Sequence, residues 1–183
     1  MSEAVKGLQT EPWMRGTHEE LDPLRRAVVH ALELAEEDVA RWCDALNDAE
    51  MFARPAALPP VAFHLRHIAR SLDRLMTYAE DRWLDDEQLA ALKTELDPGS
   101  AEDVLREFRE GVELAKGRVR AIQPKRYEDV RGIGRKRLPT TVGGLLIHCA
   151  EHTARHVGQA VTTVKVVRAL AAPVSIPLGE LVD

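Results

Sequence analysis

Four stretches of this chain repeat their apolar residues at steps of three and four, and residues that stop a helix separate them. Leu21, Leu24, Val28, Leu32, Ala35, Val39, Trp42 and Leu46 form the first stripe. Val61, Leu65, Ile68, Leu72, Leu75 and Ala79 form the second. Leu105, Phe108, Val112, Ala115, Val119 and Ile122 form the third, in steps close to a heptad. Cys149, Ala160, Val164 and Val167 centre the fourth. Such spacing places apolar side chains on one face of a helix, and four such helices bury their stripes best against one another.

The boundaries agree with that reading. Thr17 with Glu20 predicts a capping box ahead of the first helix. Pro59 and Pro60 close the break after it. Ser100 with Asp103 predicts the start of the third helix, and Pro124 its end. Thr140 or Thr141 is expected to cap the fourth, which runs to about Leu170. The stretch LDDEQLAALKTEL reads as a short accessory helix ending at Asp97-Pro98-Gly99, and VRGIGRKRLPTT reads as a basic loop; no segment reads as a strand. The expectation is an all-α four-helix bundle with a short accessory helix. It divides into a flexible lead over 1–16, the bundle domain over 17–170 and an extended tail over 171–183.

Composition narrows the function classes. The net charge of -5 offers no general attraction for nucleic acid. No window approaches 18 continuous apolar residues, and MSEAVKGLQTEPW has no apolar core of an export signal, so no membrane partner is expected. Two cysteines, Cys43 and Cys149, make no disulfide framework, which favours a reducing, cytoplasmic setting.

The chemistry-bearing residues are histidines. His148, His152 and His156 follow one another at steps of four, so all three ride near one helical face and two of them can reach a single ion. His64 and His67 sit on the second predicted helix. At roughly 100° per residue, His156 lies nearest the centre of the fourth apolar face, His152 about 40° further out and His148 further still. On the second helix His64 lies nearer the apolar centre and His67 about 60° further round, so periodicity leans toward His64. Cys149 falls mid-stripe and reads as a small core residue. Glu151 points away from the ligand face. Trp42, Tyr78 and Trp83 read as core aromatics, and Asp73 with Arg74 as a solvated pair. Arg131, Arg135, Lys136 and Arg137 read either as a solvated connection, the favoured reading, or as an anion-binding rim.

The pairing of FHLRHIARSLDRL with HTARHVGQ resembles the DinB/YfiT-like family, from about Thr17 to Leu170. The most specific element is H-x-x-x-H-x-G-Q, here His152 to Gln159, with Val157 where the family often has Arg. The resemblance implies a four-helix bundle, commonly a homodimer, holding a divalent ion on three histidines. Carried across, the ligands are His152, His156 and His67, the last because Ile68-Ala69 follow it and Phe63 precedes it by four. His64 remains the alternative, and His148 matches no ligand.

Three imidazoles without a thiolate leave positions on an ion for water or substrate, the arrangement of catalytic sites. Zn²⁺ or Ni²⁺ suits neutral nitrogen donors. Relatives include enzymes that transfer or use low-molecular-weight thiols, so the resemblance implies a metal-dependent enzyme that activates a small thiol for transfer to a small-molecule electrophile. The rival expectations are a non-enzymatic metal-binding stress-response bundle and a metal-assisted hydrolase.

Overall fold

A computed structural model describes residues 10–171, and the predicted stripes become four long helices. The first, α1 (Pro23–Cys43), starts later than Thr17–Glu20 suggests. Asp22 is its cap, accepting from the Leu24 and Arg25 amides, with Pro23 already holding a helical φ. Thr17 turns its hydroxyl to His30 instead, at 3.0 Å. A single turn, α2 (Asp48–Met51), carries a capping box of Asn47 and Glu50 that the apolar pattern does not reveal.

After Pro59-Pro60 comes α3 (Val61–Ala79). The accessory helix α4 (Asp86–Ala91) has a capping box of Asp85 and Gln88 and is shorter than its apolar pattern suggests. Ser100 caps α5 (Ala101–Ala121) as expected, accepting from the Asp103 amide. Of the two candidate threonines before α6 (Val142–Ala171), Thr141 does the capping, accepting from the Gly144 amide at 3.1 Å.

The basic loop is corrected: it is a two-stranded antiparallel hairpin, β1 (Val130–Ile133) and β2 (Leu138–Thr141), with Val130 opposite Thr141 and Ile133 opposite Leu138. Gly134 (φ 63°) supplies the left-handed backbone its turn requires, and Arg137 (φ 46°) adopts it too. Strands of four residues, one containing Pro139, are too short to show a period of two.

In cross-section α1 and α3 each lie between α5 and α6. Their stripes meet in one core that includes Val29, Leu32, Leu65, Ile68, Leu72, Phe108 and Leu146, all fully buried. Each such side chain contributes roughly 1.5–3 kcal/mol. Gly111 lets α5 run close to α3, where a Cβ at that position would stand 2.7 Å from the Ala69 Cβ. Arg118 ties α5 to α3 through Asp73 and Glu80, each at 2.7 Å, so Asp73 is not the partner of Arg74. Trp83 is 67% exposed rather than core, with Arg137 over its ring. Of the expected lead and tail, residues 1–9 and 172–183 lie outside the described residues.

Candidate functional site

The histidines meet where α3 packs on α6. His64 and His67 stand one turn apart near the start of α3, and His152 and His156 one turn apart near the middle of α6. Packing of the two apolar stripes brings the pairs face to face. The ring centroids of His67 and His156, and of His152 and His156, are 4.5 Å apart, and those of His67 and His152 are 5.0 Å apart. His152 Nε2 lies 3.0 Å from His67 Nε2. One ligand atom from each of His67, His152 and His156 lies within 4.8 Å of the other two.

The remaining two histidines differ. His64 is buried, as its position on the wheel suggests, and its Nδ1 stands 3.1 Å from His156 Nδ1, so one proton bridges the two rings. His148 is half exposed, with its ring 5.2 Å from that of His152 and its Nδ1 3.8 Å from Glu151. Glu151 also holds Arg155 at 2.6 Å on the solvent side, in keeping with its assignment away from the ligand face.

One residue of the site has no spacing signature. Glu95, in the turn after α4, places its Oε2 2.8 Å from His67 Nδ1. Its other oxygen faces Arg74 at 3.6 Å. Burial works to raise the Glu95 carboxyl, but the hydrogen bond from His67 and the charges of His67, Arg74 and Arg70 outweigh it and hold it below the usual carboxylate range. A His67 that donates from Nδ1 presents an unprotonated Nε2 toward His152. Carboxylates orient metal-binding imidazoles in this way. The ring of Phe63 stacks on His67, centroids 5.3 Å apart, and limits its rotation further.

These donors suit a divalent ion. Burial, then the neighbouring His156 and His67, pushes His64 and His152 down to about 4, and burial also lowers His156. These imidazoles are therefore neutral at pH 7, each with one unprotonated ring nitrogen. A tetrahedral ion about 2.05 Å from each nitrogen needs nitrogens about 3.3 Å apart. The 3.0 Å approach of His67 to His152 is close to that span. Next to the cluster, a cavity of about 310 Å³ runs between Leu58, His64, Arg155, Gln159 and Thr162.

The other candidates fall away from this cluster. Cys149 is fully buried, and burial pushes its thiol up to about 12, so it is core. Arg131 is buried and donates to the Ala79 carbonyl at 3.1 Å, closing the end of α3. Twelve residues of helix separate Ala79 from His67, about 18 Å, so the hairpin cations make no rim at the histidines.

Among the described residues no helix is long and apolar enough to cross a membrane. No curated protein sequence matches this one. The fold is similar to that of a conserved protein from Enterococcus faecalis, with a TM-score of 0.64 and 22% identity over 81% of this chain and 99% of that one. The sequence matches the DinB superfamily over residues 31–160, a span that runs from α1 into α6 and includes all the histidines of the cluster. On that match, over well more than half of its length, the chain belongs to the DinB superfamily, a group associated with metals.

Proposed function

We propose that this chain is a divalent-metal-dependent enzyme that holds one ion on His67, His152 and His156 and directs a low-molecular-weight thiol at a small electrophile. The observation that carries the reading is the convergence of three imidazoles from two helices; the neighbouring cavity reaches the cluster at His64. Zn²⁺ or Ni²⁺ matches an all-nitrogen donor set. Bound there, the ion would supply Lewis acidity, lowering the pKa of a thiol or water next to it toward neutrality.

The protein's own groups do the rest. Glu95 fixes the tautomer and angle of His67, and Arg74 holds Glu95. If His156 ligates through Nε2, its Nδ1 donates to His64, which is a positioning residue rather than a ligand. This leaves three protein donors and an open side, which favours catalysis over a purely structural ion. Arg155 borders the cavity and offers a cation to an acidic thiol or substrate. Glu95 gives one oxygen to His67 and sets the other 3.6 Å from Arg74, which ranks metal-assisted hydrolysis, with its need for a carboxylate base at the ion, below thiol transfer.

Kinship extends the reading to a homodimer, which sedimentation of the purified protein checks, and the two free cysteines extend it to a reducing, cytoplasmic setting. The activity test incubates Zn²⁺- or Ni²⁺-loaded protein with an electrophile such as a haloarene and each of several bacterial thiols. Metal-dependent thioether formation is expected, the thiolate sulfur replacing the halide, which leaves as the free anion while the thiol proton passes to solvent. No turnover with any of the thiols would sink the transfer reaction.

A further inference from the structure

A second group of donors lies outside the cluster just described. His30 and Glu33 stand three residues apart on α1, one turn along the same face. His18, from the segment before α1, folds over them with its ring 5.5 Å from that of His30 and its Nε2 2.6 Å from Glu33 Oε1. One ligand atom from each of the three lies within 4.8 Å of the others. His30 is buried at 6% exposure, and His18 and Glu33 are mostly covered. Arg15, the cation that would compete for Glu33, is held by both oxygens of Glu37, at 2.5 and 2.8 Å. Among the described residues His30 has a hydrogen-bond partner on one side only, Thr17 Oγ1 at its Nε2, as a ligating imidazole oriented by a neighbour does.

We propose that His18, His30 and Glu33 form a second divalent-cation site, independent of the histidines on α3 and α6. Two neutral imidazoles and one carboxylate suit Zn²⁺ and leave the ion a net charge of +1, with a fourth position for water. Tetrahedral ligation at about 2.05 Å asks for donors about 3.3 Å apart. His18 and Glu33 therefore open by about 0.7 Å from their 2.6 Å contact, a side-chain adjustment that leaves α1 in place. The effect is mechanical: the ion fastens residues 17–22, which lead into the Asp22 cap, onto the second and third turns of α1.

The test is a Zn²⁺ titration of metal-free full-length protein against a chromophoric chelator. Two tight equivalents per chain are expected for the wild type, and one for Glu33→Gln, which keeps the side-chain shape. His18→Asn is the second variant, because His18 sits at φ 58° and asparagine tolerates that backbone. It too should bind one. In His156→Ala, added Zn²⁺ should still raise Tm, and Glu33→Gln in that background should abolish the rise. A stoichiometry that neither Glu33→Gln nor His18→Asn lowers, whether the wild type binds one equivalent or two, would overturn the proposal.

Discussion

Removing the charge from Glu95 should weaken metal binding without touching a ligand. In the structure Glu95 Oε2 accepts from His67 Nδ1 at 2.8 Å, with the side chains of Glu95 and His67 10% and 21% exposed, so solvent screens the pair little. Losing such a carboxylate partner costs roughly 10–100-fold in metal affinity, or about 1.4–2.8 kcal/mol. Glu95→Gln keeps an acceptor oxygen and loses the charge, so the low end, about tenfold, is expected. Glu95→Ala loses both and should approach the high end. Arg74 then faces a neutral or missing partner, which costs roughly 1–3 kcal/mol of stability. Affinities should therefore be compared well below Tm, with helicity checked by circular dichroism. The assay is Zn²⁺ competition against a chelator of known affinity in the Glu33→Gln background, where one site is read. Dissociation constants within threefold of the parent for both substitutions would refute the role of Glu95.

Two further outcomes follow from the packing and the charges. Gly111→Ala forces a Cβ to within 2.7 Å of the Ala69 Cβ and 2.9 Å of its Cα, so α3 and α5 must part at a cost of about 1–3 kcal/mol; thermal unfolding should fall by several degrees, and an unchanged Tm would contradict the close approach. The metal-free protein should lose stability as acid is added. His64 binds its proton near pH 4 when folded but near 6.5 when unfolded, so its contribution is present at pH 7 and is lost as pH falls from about 6.5 toward 4, roughly 2 kcal/mol by pH 5. Urea unfolding at pH 7 and pH 5 measures this, and a His64→Asn variant should show a smaller difference.

The long helices were legible because a stripe such as Leu105, Phe108, Val112, Ala115 and Val119 repeats over about four turns, and the same residues are buried in the core. Shorter signals competed and lost. Asp22-Pro23 caps α1 better than Thr17 with Glu20, since proline is pre-set at the first helical position. The hairpin over 130–141 hid behind its cations and proline. For the site, the histidine spacing marked the region, but burial and ligation are different properties. The wheel rightly found His64 the more buried of its pair, yet His67, further round, is the one whose ring converges with both His152 and His156. A donor facing an accessible ion belongs at the edge of the apolar stripe. Glu95 was invisible because it is 28 residues from His67 and reaches it only through the turn after α4. No periodicity carries a contact of that kind.

The most direct measurement is anomalous diffraction from crystals of the metal-loaded protein, recorded on either side of the metal's absorption edge. The account predicts a peak about 2.0–2.2 Å from one nitrogen each of His67, His152 and His156, with His64 at hydrogen-bond distance from His156 and outside the coordination sphere. Absence of a peak between these three imidazoles, or His64 in place of His67 as the ligand from α3, would contradict it.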